Sequence, residues 1–378
     1  MAPDDTVVAC LTPAGTGPIA TLAVRGPNAW PAVREIFRTV SNRPLPEDAL
    51  AAGSVWIGRC GDSGLADEVV LTARQVEPQP WLEIHCHGGP QVVAWLIETL
   101  QRHATACSWE EFLRITDRPR KAAALEHLAR TATARTAAIL LDQAHGALER
   151  AIESIRNSHA ARRLHDAQHG VDELLRYAPV GGHLVVPWRV VVAGAPNVGK
   201  SSLVNALVGF QRSVVAPIPG TTRDIVSTAS AFDGWPVELS DTAGIRADAG
   251  ELEHAGIDLA RNALESADLC IWVVDAAAVE PVWPARTERA MIAVINKCDL
   301  PSPWMTNANR ELRVSALTSE GLGALSGLIA RTLVPDPPPA GVAVLFLPGD
   351  IAHLIALRRA LQAGNVEAAA EALEAIRI

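Results

Sequence analysis

Trp188-Arg-Val-Val-Val-Ala193 followed at once by Gly194-Ala-Pro-Asn-Val-Gly199-Lys200-Ser201 reads as an apolar β-strand running into a GxxxxGK[ST] loop. A loop of this kind wraps phosphate groups with inward-pointing backbone N–H groups, so glycine is needed where the chain comes closest. The helix that opens at Lys200 adds its partially positive N-terminal end. Lys200 is placed to reach β- and γ-phosphates, and the Ser201 hydroxyl to ligate Mg²⁺. Asn197, Val198, Gly199, Lys200, Ser201 and Ser202 are thus the candidate phosphate-binding residues.

Three further motifs follow in order. Asn296-Lys297-Cys298-Asp299 comes directly after the apolar run Met291 to Ile295. The Asp299 carboxylate can accept from both N1–H and the exocyclic amine of guanine, a donor pair that adenine lacks, so the base selected is guanine. Asn296 is expected to tie the base loop to the phosphate loop, Lys297 to lay its aliphatic stem along the base, and Ser315-Ala316 to complete the pocket. Asp241-Thr242-Ala243-Gly244 ends the run Val237 to Ser240 and suits an aspartate that holds Mg²⁺ through water, beside a glycine N–H that senses the γ-phosphate. Between the phosphate loop and Asp241 lies Gly220-Thr221-Thr222-Arg223-Asp224, whose Thr222 hydroxyl can complete the metal shell. The residue after Gly244 is Ile245, where many switch GTPases place a water-orienting glutamine. An isoleucine cannot hold water, so that role must fall elsewhere.

The chain of 378 residues has room for two or three domains at about 150 residues each. With 49% hydrophobic and 20% charged residues, it has neither a disordered nor a fibrous composition. The net charge of −9 excludes a global cationic field for nucleic acid or anionic lipid, so any such contact must be local. Six scattered cysteines without zinc spacing read as reduced thiols. The opening MAPDDTVVAC has no basic n-region, and no apolar run approaches the ~18 residues of a membrane span, so the expectation is a cytoplasmic protein with no membrane contact.

Short β-type runs with turn signals fill the first part, alanine-rich helical periodicity follows, and after Ala178 to Pro187 apolar β-runs alternate with helices, the pattern of a parallel α/β sheet. Alanine-rich helix returns after Pro335 to Pro339. The expected fold is an α/β P-loop GTPase domain inserted in an α-helical domain and preceded by a small α+β N-terminal domain. Its boundaries are 1–117, 118–187 (helical, first part), 188–334 (GTPase) and 335–378 (helical, second part).

GAPNVGKSS, GTTRD, DTAGIR, NKCD and SA, with HCHGGP and DTVVACLTPAGTG before them, resemble the tRNA modification GTPase MnmE (TrmE) family. The resemblance implies a folate-binding, dimerising first domain and a GTPase that hydrolyses GTP to GDP and phosphate under K⁺ stimulation. It implies action as a homodimer with a flavin-dependent partner protein on the wobble uridine of tRNA, using a tetrahydrofolate derivative. It places K⁺ on Asn197 and on switch oxygens at Ala216, Ile218 and Thr221, within the nucleotide-contacting run that includes Pro217, Pro219, Gly220 and Thr222. Glu253, twelve residues after Asp241, takes the water-orienting role, beside Lys200, Thr222, Asp241 and Gly244 as catalytic positions. Glu83 matches a folate-contacting glutamate, and Arg25, on the same strand face as Ala23 where the family has arginine, is its expected substitute. His85 and His87 also share a strand face, but two histidines without a third ligand do not make a metal site. The residues Glu374-Ala-Ile-Arg-Ile378 stand where the family carries Cys-Ile-Gly-Lys, which marks a divergent member. They keep a second expectation open, a GTPase switch that has lost modification chemistry and acts in regulation or assembly.

Overall fold

The structure is a computed structural model and describes residues 5–61, 64–210, 227–241, 267–284, 290–304 and 312–376. These divide into two compact units, Met1–Ala122 and Ala123–Ile378.

Among the described residues, the first unit is built on a seven-stranded sheet in the order β3-β4-β5-β6-β2-β1-β7. The strands are β1 (Val7–Cys10), β2 (Ile19–Arg25), β3 (Phe37–Thr39), β4 (Val55–Gly61), β5 (Ala66–Gln75), β6 (Trp81–His87) and β7 (Thr105–Ala106). Alternation sets the faces: Leu82, Ile84 and Cys86 are buried on one side of β6, while Trp81, Glu83, His85 and His87 point to the other. Helices α1 (Ala29–Ile36) and α2 (Pro90–Leu100) cover the first side, closing a core of Leu22, Leu71, Leu82, Ile84 and Leu96. Each such side chain contributes about 1.5–3 kcal/mol by leaving water. On the opposite side Val7, Ala9 and Ala23 meet Phe112 of α3 (Trp109–Thr116), and the Trp81 and Phe112 rings meet edge to face at 5.4 Å. A reciprocal capping box starts α3, with Ser108 Oγ accepting from Glu111 N and Glu111 accepting from Ser108 N. Burial pushes the Cys60 thiol up to about 12, and those of Cys86 and Cys107 up to about 11, which favours their protonated form.

Helix α4 (Pro119–Leu128) carries the division between the units, and α5 (Ala134–Ala144), α6 (Ala147–Ala160), α7 (Leu164–Arg176) and α8 (Ala178–Gly181) follow it. Among the described residues the second sheet has six strands: β8 (Trp188–Gly194), β9 (Ser227–Phe232), β10 (Trp235–Asp241), β11 (Leu269–Asp275), β12 (Met291–Asn296) and β13 (Leu312–Arg313). Their order is β13-β12-β11-β8-β10-β9. Helices α9 (Lys200–Phe210) and α10 (Leu322–Leu333) pack with it, and α11 (Pro348–Gln362) and α12 (Val366–Ala375) close the chain.

The expected parallel sheet is found in β8 and β10 to β13, with one correction: β9 runs antiparallel to β10. The two are joined by the two-residue turn Asp233-Gly234, with φ of 49° and 76°. Both residues are left-handed, as a tight hairpin requires, and Asp-Gly between apolar runs is its sequence signature. Outside the sheet, α6 packs on α7, α7 on α11, and α11 on α12. Buried Gln143 of α5 donates to Ile139 O and Val342 O and accepts from Val344 N, stapling positions about 200 residues apart. Arg156 of α6 donates to Leu373 O of α12 at 3.1 Å. No helix among the described residues is long and apolar enough to cross a membrane.

Candidate functional site

The candidate site lies where β8, β10, β11 and β12 end. Asp241 pairs in register with Val192, and Asp275 with Asn296, so the carboxyl ends of neighbouring parallel strands come level with the loop after β8. That loop folds through left-handed backbone at Asn197 (φ 62°) and Gly199 (φ 91°) before α9 begins at Lys200. The N–H groups of the first helical turn have no partner within the helix and are available to an anion. A side chain at Gly194 would place its Cβ 2.4 Å from Val273 O, so the loop lies against β11 without space for one.

Lys200 is buried, and its Nζ donates to Gly194 O at 3.2 Å and Ala195 O at 2.9 Å. Its ammonium therefore curls over the same loop that precedes it. The Ser201 hydroxyl donates to an Asp241 carboxylate oxygen in a short hydrogen bond. A hydroxyl and a carboxylate brought together from two elements form a hard-oxygen donor set that suits Mg²⁺. Val198 is buried, whereas Asn197 and Ser202 are exposed.

The base side of the site is tied to the phosphate side by two residues. Buried Asn296 donates from Nδ2 to Val198 O at 2.9 Å and accepts at Oδ1 from Ala316 N at 3.1 Å. Lys297, in the left-handed region at φ 64°, donates to Asn197 O at 2.9 Å and to Asp275 at 2.6 Å. Ser315 is fully buried; its hydroxyl accepts from Thr318 N and its own N–H donates to Glu320 O. Cys298 N donates to Val314 O at 3.1 Å, which leaves Asp299 exposed at the rim next to Lys297. Asp275 was not singled out from sequence. Its signal was a carboxylate ending the apolar run Leu269 to Val274, the same pattern that marked Asp241.

Thr242, Ala243, Gly244 and Glu253, and all of Ala216, Pro217, Ile218, Pro219, Gly220, Thr221 and Thr222, lie outside the described residues.

In the first unit Glu83 is largely buried, 3.4 Å from Arg74 Nε and 3.9 Å from His85 Nε2. Ala23 is its direct cross-strand neighbour, and Arg25 lies two residues along the same face. The Arg25 guanidinium donates to Ile115 O at the end of α3 at 3.1 Å, while its buried Nε has no partner among the described residues. His85 Nδ1 is 3.0 Å from Thr21 Oγ1, and His87 Nδ1 is 2.6 Å from Asp67. A cleft of about 670 Å³ in this unit is lined by Thr12, Gly15, Ile19, Val93, Ile97 and Trp109 among others, and by neither Glu83 nor Arg25.

Gly199 offers a direct test of the link between loops. A Cβ there would lie 2.5 Å from Asn296 Nδ2, and φ of 91° strains any other residue. Strain of about 1–3 kcal/mol, released by displacing the loop, predicts that Gly199→Ala weakens GDP binding at least about tenfold by calorimetry. An unchanged affinity would show that the Asn296 contact is not part of the binding state.

Residues 189–301 match the family model described as 50S ribosome-binding GTPase, and residues 6–116 match that described as GTP-binding protein TrmE N-terminus. The tRNA modification GTPase MnmE of Chloroflexus aurantiacus is 34% identical, over 95% of this chain and 88% of its own. The protein of the same name from Symbiobacterium thermophilum is 32% identical over 87% and 82%, and that from Thermus thermophilus 28% over 87% and 83%. With both family models matched in order and a third of positions shared over nearly the full length of both chains, this chain belongs to the tRNA modification GTPase MnmE family.

Proposed function

We propose that the second unit binds GTP with Mg²⁺ and hydrolyses it to GDP and phosphate under K⁺ stimulation, in support of tRNA wobble uridine modification. The observation that carries this reading is the convergence of Lys200, Ser201, Asp241, Asn296 and Lys297 on one loop that is short of side chains at its closest approaches. The loop N–H groups and Lys200 receive the β- and γ-phosphates, and Asp299 receives the guanine edge. Ser201 and Thr222 hold Mg²⁺, with Asp241 acting through water; the bound metal offsets charge on the phosphate oxygens.

Ile245 leaves the attacking water without a side-chain partner at the usual place, and Glu253 supplies one. Asn197, with backbone oxygens at Ala216 and Ile218 and with Thr221, holds K⁺, which supplies the positive charge that an arginine gives in other GTPases. The exposed position of Asn197 at the left-handed corner of the loop supports this role.

The domain layout in this reading is 1–117, 118–187, 188–334 and 335–378, with the GTPase domain inserted between two helical parts. The contacts of Gln143 with Val342 and Val344, and of Arg156 with Leu373, support pairing of those parts. The first domain carries dimerisation and, through Glu83 and Arg25, a tetrahydrofolate derivative. A flavin-dependent protein and tRNA are the partners, in the cytoplasm.

The test is single-turnover GTP hydrolysis in K⁺ and in Na⁺ at equal ionic strength, for the wild type and Glu253→Ala. Stimulation by K⁺ is expected, with a fall on the order of 10²-fold or more in the variant, the scale of a lost proton-handling or water-positioning group. Equal slow rates in both salts and an inert substitution would remove K⁺ and Glu253 from the mechanism.

A further inference from the structure

We infer that Asp275 is a positioning residue of the guanine-nucleotide site, acting through Lys297 to hold the base-binding loop in its binding geometry. The inference rests on the reading of that site given above. Strands β11 and β12 are parallel and in register, with Asp275 opposite Asn296, so the last residue of β11 lies beside the first residue of Asn296-Lys297-Cys298-Asp299. Lys297 takes left-handed backbone, φ 64°, and its Nζ bridges Asn197 O of the phosphate loop at 2.9 Å and Asp275 Oδ2 at 2.6 Å.

The carboxylate is itself oriented, since Asp275 Oδ1 accepts from Ala277 N at 2.9 Å. Its side chain is only 16% exposed and that of Lys297 33%, so water competes weakly for the ion pair. A lysine otherwise carries high rotamer freedom, which must be lost when its stem lies along a base. Anchoring its amine at both ends before nucleotide arrives removes that cost from binding. Asn296, one residue before Lys297, binds the phosphate loop at Val198 O, one residue after Asn197, so the two side chains fix the base loop at adjacent points. Asp275 meets Lys297 Nζ and Ala277 N, and its effect belongs to affinity and not to the hydrolytic step.

Asp275→Asn tests this, because asparagine Oδ1 still accepts from Ala277 N and preserves the turn while the charge facing Lys297 is lost. Calorimetry with GDP and Mg²⁺ is expected to show affinity reduced by about tenfold or more, the scale of a charge-assisted hydrogen bond. Single-turnover hydrolysis at saturating GTP should keep its wild-type rate. In a Lys297→Ala background the same substitution should cost nothing further, since the two act as one unit. Unchanged GDP affinity in Asp275→Asn overturns the inference. So does an equal loss in the Lys297→Ala background, which would mean that Asp275 serves only the turn after β11. Failure of the wild type to bind GDP is a different result and overturns the site reading itself.

Discussion

Asp299→Asn is expected to turn the site from guanine to xanthine nucleotides, weakening GTP by about 10⁴-fold, the penalty of a site that hydrogen-bonds its ligand and loses the match. The carboxylate presents two acceptors, and guanine presents two donors, N1–H and the exocyclic amine. Asparagine keeps one acceptor and offers a donor where the second stood, so its amide N–H faces the guanine amine with no acceptor between them. Xanthine has an oxygen at that position and restores the pair. The effect depends on Asp299 holding its place, and the structure supplies the reason that it does. Asn296 is buried and bonded on both sides, Lys297 is tied to Asn197 O, and Cys298 N is bonded to Val314 O, so three consecutive residues before Asp299 are anchored. Competition of GDP and XDP for the wild type and the variant measures the switch. A variant that keeps wild-type preference for GDP would show that the base is read by another group.

Lys200→Met is expected to lower single-turnover GTP hydrolysis by about 10²–10³-fold, the range seen when one preorganised transition-state donor is removed. Methionine keeps much of the buried stem, so packing changes little while the ammonium is lost. In the structure that ammonium rests on Gly194 O and Ala195 O, two neutral acceptors in its own loop. Phosphate oxygens bear full negative charge and make the stronger partners, so the lysine is poised to exchange two neutral hydrogen bonds for charged ones. Circular dichroism and the urea midpoint of the variant should stay near those of the wild type. A hydrolysis rate near the wild-type value in a folded variant would show that Lys200 is a loop-closing residue with no contact to phosphate.

Asp299 and Lys200 could be named before any fold was known, whereas Asp275 gained its meaning from contacts. The difference is one of range. GxxxxGK[ST] and its strand are local: the left-handed corner at Gly199 and the helix start at Lys200 are demands of backbone geometry within a few residues. The alternation in β6 placed Glu83 and His85 on one face in the same local way. The antiparallel strand β9 was legible too, since Asp233-Gly234 between apolar runs is a hairpin signal, but the alternation of strands with helices masked it.

Arg25 shows the opposite case. Face and strand could be read from its spacing to Ala23, but the direction of its guanidinium depends on where α3 ends, 90 residues further on, at Ile115 O. The same holds for the helices. Amphipathic periodicity in α6 and α7 marks an apolar stripe without saying what will cover it, and α11 and α12 complete that core from the far end of the chain.

Backbone conformations, strand faces, the phosphate loop and the chemistry of guanine selection thus follow from residue types at short spacing, because sterics and hydrogen-bonding valence act over a few bonds. Which strands lie side by side, which carbonyl Lys297 meets and what holds it in place follow from packing. Asn197 and Lys297 are 100 residues apart, and Asp275 joins them only because β8, β11 and β12 are laid in register by a shared apolar core.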